Sequence, residues 1–302
     1  MNNYHRPAHP PTAVISNQDL KRERMAYANY RYKGHNYLGE VHGEHLIPLA
    51  GLTDIGPETS ADLLASAARL RESRVPLSEV TLRAASPKAG KIICVGLNYK
   101  DHADDTSTAT FPVLFPKYTS TLIGPADDII LPPESTQVDF EGELAVIIGK
   151  TGRRIVEQNA MDHILGYCVS NDVSMRDYQN KSHQWLQGKI WDNTTPLGPH
   201  IVTPAETDIS KAGISTTLNG EVVQKADLSH LIFSIPTLIA TISEFTTLEP
   251  GDVILTGTPA GVGYRRHPQL FLKDGDTVTV TVQGVGSITN TVKAEADHLF
   301  WV

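Results

Sequence analysis

The chain has 302 residues, with 26 lysines and arginines against 34 aspartates and glutamates, a formal net charge of −8. At this length about three-quarters of the extended chain's surface is buried on folding, so a large core forms without disulfides or structural metals. With 40% hydrophobic and 20% charged residues, the composition is that of a globular protein, and the acidic balance argues against a general nucleic-acid or anionic-membrane binder.

Residues 1–22 are polar and rich in proline and histidine, and read as an N-terminal arm. They hold no apolar run like a signal peptide, and nothing in the chain approaches the ~18 apolar residues of a membrane span. A cytoplasmic location without a membrane partner is the expectation. Residues 23–85 read as a small N-terminal α+β domain. Within it, residues 25–49 alternate tyrosine or apolar with polar residues, which predicts short antiparallel strands turning near Gly34 and Gly43. The spacing of Leu63, Leu64, Ala67 and Leu70 predicts a helix over 57–73. Residues 74–90, with Pro76, Pro87 and Gly90, read as a linker.

From residue 91 to 302 the pattern is mainly β. Short strand-like runs such as IICVG, ELAVIIG, ILGYCVSND, DVILTG and DTVTVTVQG alternate with Gly and Pro turns. Asn219-Gly220 between two alternating runs signals a hairpin. Helices are predicted over 157–164 and 234–245. Cys94 and Cys168 lie in apolar strand-like runs and read as buried thiols. No GxGxxG and no phosphate-binding loop is present, which argues against a nucleotide fold.

Candidate chemistry begins at Asp139-Phe140-Glu141-Gly142-Glu143. In a strand, positions i and i+2 share a face, so Glu141 and Glu143 point the same way. Like charges on one face are unfavourable unless a cation lies between them. The alternative is a solvated face with Lys or Arg opposite. Gly142 leaves room for close backbone approach. Asp172 ends the apolar run ILGYCVSN, where a sheet edge collects sites. Three carboxylates without a nearby Cys or His suit a hard cation, Mg²⁺ or Mn²⁺, better than zinc.

These segments resemble the fumarylacetoacetate hydrolase family. The matching pieces are GLNYKDHADD (96–105), VLFPKYTSTLIGPADDIILP (113–132), QVDFEGELAVIIGK (137–150), residues 171–201, GDVILTGTPAGVG (251–263) and DGDTVTVTVQGVGSITN (274–290), in the family's order. The resemblance implies a twisted mixed β-sheet domain over 91–302, a metal site, usually a homodimer, and a small anionic 2-oxo or diketo acid as substrate. It aligns Glu141, Glu143 and Asp172 with metal ligands, and Arg176, Gln179 and Lys189 with polar substrate-facing residues. Thr258 aligns with a residue that binds the substrate carboxylate, and His102 with the catalytic histidine. Two positions depart from the family. Asp105 stands where many members have the Glu of a His–Glu dyad, and Gln187 stands where many have Arg.

The expected activity is hydrolysis of a C–C bond in an acylpyruvate-type diketo acid. His102, oriented by Asp105, would take a proton from water, and Lys189 would stabilise the enolate. Decarboxylation of oxaloacetate-like acids, or isomerisation or hydration of a 2-oxo-alkenoate, is the alternative at the same site. A non-enzymatic scaffold would be expected to have lost some of these residues. Phe111 and Phe115 suggest a pocket for an apolar substrate tail.

Overall fold

The computed structural model describes residues 25–100 and 110–296. His102, Asp104 and Asp105, the 1–22 arm and the last six residues therefore lie outside the described residues.

A long sheet runs through the molecule. Its path begins Val75–Pro76, His45–Pro48, His35–His42, Ala26–Tyr32 and continues Thr195–Val202, Ile164–Asn171, Gly142–Ile148, Val253–Leu255, Ile92–Gly96 and Val113–Lys117. Most neighbours are antiparallel, but Val253–Leu255 pairs parallel to Ile92–Gly96, which makes the sheet mixed. The N-terminal strands turn at Gly34 and Gly43 as the alternation predicts. Ala26 pairs with Val202 and Tyr27 with Ile201, so backbone hydrogen bonding is continuous between the 26–48 strands and the later ones.

The stretch 74–90 is laid against this sheet. Thr81–Leu82 pairs with Ala26–Tyr32, Ala84 and Ala85 are buried, and the buried Ser86 hydroxyl donates to Gly251 O at 2.6 Å. The helix predicted over 57–73 is shorter than its periodicity suggests. It spans Ala61–Ser66, capped by the Ser60 side chain, and a 3₁₀ turn follows at Arg71–Ser73. Leu64 is buried, whereas Leu63 and Leu70 are exposed. Leu49 bridges Arg69, so a strand-like contact draws the chain out of the helix before its apolar face is complete.

A second sheet has the order Glu221–Asp227, Gly213–Leu218, Thr277–Val282, Gly286–Ala294, Ile129–Leu131. Its first hairpin turns at Asn219 and Gly220, whose φ values of 52° and 85° are those of a type I′ turn. The Ile235–Phe245 helix forms where predicted, with the Ser234 hydroxyl accepting from the Thr237 N–H. Residues 157–163 form a 3₁₀ helix instead of an α-helix.

Gly142–Ile148 is buried along its whole length. Leu144, Val146 and Ile148 pack with Val280, Val282, Ile288 and the helix residues Leu238, Ile239 and Ile242. Ala145 and Ile147 face the other way, with Cys94, Cys168, Leu255 and Leu64. Burial on both faces explains why the strand reads as a continuous apolar run. Both cysteines are free and buried. No helix among the described residues is long and apolar enough to cross a membrane.

At the start of this strand the two sheets come into close contact. A Cβ on Gly142 would collide with Thr216 Oγ1 and approach Val280 Cγ1 to 2.9 Å. Thr216 Oγ1 is buried without a hydrogen-bond partner. Gly142→Ala is therefore expected to cost about 1–3 kcal/mol by overpacking. In a Thr216→Ala background the added cost should shrink, as measured by urea unfolding of the four-member cycle.

Candidate active site and metal centre

The three predicted ligands come together at one end of the long sheet. Gly142 pairs with Asn171, and Glu141 and Asp172 lie just beyond that pair. The Asp172 N–H donates to Glu141 O at 2.8 Å, and the Glu141 N–H donates to Asn171 Oδ1 at 2.9 Å. Glu143 lies two residues along. Carboxylate oxygens of Glu141, Glu143 and Asp172 lie within 4.8 Å of one another, and all three residues are buried.

Three cations enter this cluster from separate elements. Lys189, at the end of the Leu186–Lys189 helix, donates to Glu141 Oε2 at 2.7 Å and Asp172 Oδ2 at 2.8 Å. Lys117, the last residue of Val113–Lys117, donates to Asp172 Oδ1 at 2.7 Å. Arg176, opening the Arg176–Gln179 helix, contacts Glu141 Oε1 at 2.6 Å, Asp139 Oδ2 at 2.9 Å and Gln179 Oε1 at 2.9 Å. Asp139 also accepts from the N–H groups of Phe140, Gly263 and Tyr264.

Lys117 and Asp139 have no assigned role in the sequence reading. Lys117 ends an apolar strand just as Asp172 does, and that shared pattern was the available signal. The buried Gln224 is a third such residue. It accepts from the Gly142 N–H at 3.0 Å and donates to Thr258 Oγ1 at 2.8 Å. It lies on a hairpin of the other sheet, and nothing in its local sequence links it to the carboxylates.

Electrostatics divides the three ligands. Burial would raise the Glu141 pKa, but the charges of Lys189 and Arg176 outweigh it and hold the group down at about 2. Burial would lower the Lys189 pKa, but Asp172 and Glu141 keep it above that of an ordinary lysine. Glu143 goes the other way. Burial, then the charges of Asp172 and Glu141, push it well above the carboxylate range. Its hydrogen bond is from the Gly257 N–H at 2.7 Å, at a glycine whose φ of 101° disfavours other residues. Among the described residues, Asp139, Glu141, Glu143 and Asp172 thus face Lys117, Lys189 and Arg176, and the charge left without a partner is that of ionised Glu143. A buried, oxygen-only donor set with one charge in excess fits a hard divalent cation.

Beside the cluster lies a cavity of about 150 Å³ lined by Glu141, Glu143, Arg176, Gln179, Lys189 and Thr258, with Val95, Gly96, Leu97, Phe115, Asn180, Trp185, Val262, Tyr264 and Arg265. Six of the seven predicted ligand and substrate-facing residues outside the 101–109 stretch therefore share one cavity, whereas the fully buried Asp172 is not among its lining residues. The Thr258 hydroxyl donates to Gly142 O at 2.9 Å, so its single proton is committed within the protein. Phe115 forms part of the wall, whereas Phe111 is exposed and is not among the lining residues. The predicted apolar wall thus rests on Phe115 and Trp185, packed edge to face at 5.5 Å. A larger, mostly apolar cavity of about 760 Å³ lies elsewhere, around Tyr167, Ile209, Leu228 and Ile235. It contains none of the clustered carboxylates, so we place the site at the smaller one.

The pKa pattern fixes a pH signature. Glu143 is raised, so its contribution to stability is complete below the unfolded value near 4.5 and is lost as pH rises through its folded value. Glu141 is lowered, so its contribution is present above 4.5 and is lost as pH falls toward 2. Metal-free protein should lose stability above pH 4.5 relative to Glu143→Gln, and Mg²⁺ should remove that difference. Mg²⁺ at 100 times its Kd should add about 2.7 kcal/mol. Asp172→Asn should sharply reduce the gain, as read by thermal unfolding with and without Mg²⁺.

Comparisons with known proteins agree with this geometry. Residues 91–293 match the family model described as fumarylacetoacetate (FAA) hydrolase C-terminal. The oxaloacetate tautomerase Fahd2a, mitochondrial, of Rattus norvegicus is 43% identical over 239 residues, 78% of this chain and 76% of that protein. Among solved structures, the 5-carboxymethyl-2-hydroxymuconate delta-isomerase of Mycobacterium smegmatis is 36% identical with a TM-score of 0.78, covering 90% of this chain and 100% of that one. The fumarylacetoacetate hydrolase of the psychrophile Exiguobacterium antarcticum is 35% identical with a TM-score of 0.75 at the same coverage. The rat relative's name places that protein in mitochondria, so it lends no support to the cytoplasmic expectation. With a family match across two-thirds of its length and the mixed β fold those structures share, this chain belongs to the fumarylacetoacetate hydrolase family.

Proposed function

We propose that the chain is a divalent-metal-dependent enzyme acting on a small 2-oxo acid, and that its reaction is enol–keto tautomerisation of oxaloacetate. This moves the isomerase alternative ahead of the C–C hydrolase expected from sequence. The names of the rat tautomerase and the mycobacterial isomerase support that order. The observation that carries it is Lys189, a buried ammonium held between Glu141 and Asp172 in the cavity wall. Tautomerisation needs a stabilised enolate and a moved proton, whereas hydrolysis needs an activated water as well.

Mg²⁺ or Mn²⁺ held by Glu141, Glu143 and Asp172 would polarise the 2-oxo group as a Lewis acid. Lys189 stays protonated, because its two carboxylate partners outweigh its burial. It presents a fixed positive charge where an enolate oxygen gathers negative charge. Arg176 is locked by Asp139, Glu141 and Gln179, so it forms a rigid cationic wall that orients the substrate carboxylate. Phe115 and Trp185 close one side with apolar surface and keep water from that face. His102 is the proposed group that carries the proton at C3, with Asp105 as its orienting partner. A cavity of about 150 Å³ suits a four-carbon acid and falls below the ~300 Å³ of sites for larger ligands. A homodimer in a reducing compartment is part of the proposal, and two free buried cysteines accord with such a compartment.

The hydrolase remains a second reading because the Exiguobacterium enzyme, named a hydrolase, shares the fold over this chain's length. Loss of enol absorbance from oxaloacetate, set against pyruvate release from acetylpyruvate, separates the two. The tautomerase reading expects Mg²⁺-dependent acceleration of the first and little of the second; the reverse pattern overturns it. His102→Ala should slow the metal-loaded enzyme by roughly 10²–10⁴. Lys189→Met should abolish turnover, with circular dichroism checking that the variant still folds.

A further inference from the structure

Oxaloacetate has a second carboxylate that distinguishes it from simple 2-oxo acids, and something in the cavity must meet it. Among the described residues, three cationic side chains line the cavity: Arg176, Lys189 and Arg265. Arg176 and Lys189 are buried and engaged with Asp139, Glu141 and Asp172. Gln187, at the position where many relatives have arginine, donates its amide to Ser182 Oγ at 2.9 Å and is not among the lining residues. Arg265 is exposed at the rim. Among the described lining residues the carboxylates are Glu141 and Glu143, both in the metal cluster.

We propose that Arg265 is the specificity-determining residue of the site, which receives the distal carboxylate of a dicarboxylic 2-oxo acid in place of Gln187. The inference rests on the 2-oxo acid reading above and names the substrate class more narrowly. Arg265 ends the Gly263–Arg265 3₁₀ turn. Asp139 anchors that turn, accepting from the Gly263 N–H at 2.7 Å and the Tyr264 N–H at 3.0 Å. The same aspartate holds Arg176 Nε at 2.9 Å. One buried carboxylate therefore sets the spacing between the cation at the inner end of the cavity and the cation at its rim. The neighbouring Arg266 has a different task. Its guanidinium donates to Gly261 O and Val223 O and ties the turn to the second sheet. Arg265 also has a partner within the protein, and a guanidinium carries five donors in a planar fork that matches a carboxylate.

Malate and lactate test this directly, because they differ by the distal carboxylate and neither enolises. Calorimetry on the Mg²⁺-loaded full chain should show malate binding about tenfold tighter than lactate, as expected for a charge-assisted pair at a partly exposed rim. Arg265→Ala should bring malate to the lactate level and leave lactate unchanged. Arg265→Lys should recover part of the preference, and Arg265→Glu should place malate below lactate. An equal loss for both ligands in Arg265→Ala, an unchanged malate preference, or no preference in the wild type overturns the inference. Failure of the tautomerase reading shows separately, as no acceleration of oxaloacetate ketonisation by wild-type protein, and the binding comparison still decides the role of Arg265.

Discussion

The Lys189 ammonium lies between Glu141 and Asp172, at 2.7 and 2.8 Å, and the organisation of the site depends on that placement. Burying two carboxylates side by side is unfavourable by desolvation and by mutual repulsion. A single cation shared between them relieves both terms and also fixes where each can point. Lys117 and Arg176 complete the arrangement from the far sides of Asp172 and Glu141. Glu143 is excluded from it, and its raised pKa reflects a charge that no cation of the protein matches. The protein therefore holds its ligand set in a geometry that is stable enough to fold yet one positive ion short of balance.

Holding seven ionisable side chains together in the interior requires a rigid frame, and the convergence of the two sheets supplies it. Gly142 lets Thr216 and Val280 of the second sheet come within contact of the strand that bears Glu143. Gln224 reaches across from that sheet to the Gly142 N–H and to Thr258. Asp139 joins the outer turn at 263–264 to Arg176. The candidate ligands, the predicted substrate-facing residues and the cavity rim are thus fixed to one another by buried hydrogen bonds. Such a frame can present preorganised charge to a developing enolate without reorganising during the reaction.

The net charge of −8 suggests at first a protein that repels anionic substrates. Part of that excess is the uncompensated ligand set. With a divalent cation bound, the buried cluster becomes net positive, and Arg265 adds a further cation at the rim of the same cavity. Charges on the distant surface are screened beyond about 8 Å at physiological salt, so the local field and not the total decides which anions enter.

The mainly β character, the hairpin at Asn219-Gly220, the burial of Cys94 and Cys168, and the grouping of the three carboxylates are legible in the amino-acid sequence. Each of these is written in short-range pattern: alternation, turn residues, or acids at the ends of apolar runs. The family resemblance extended this to Lys189, Arg176, Gln179 and Thr258, which share the cavity. Only the tertiary structure showed that Lys117, Asp139 and Gln224 belong to the site, that the 26–48 strands continue the sheet that carries it, and that Arg265 and not Gln187 lines the cavity. The helix over 57–73 was overestimated because periodicity cannot register the competing pairing of Leu49 with Arg69. The physical reason is common to all of these. Ion pairs and sheet contacts join residues such as Lys117 and Asp172, 55 positions apart, and local patterning holds no record of which distant partner a side chain will meet.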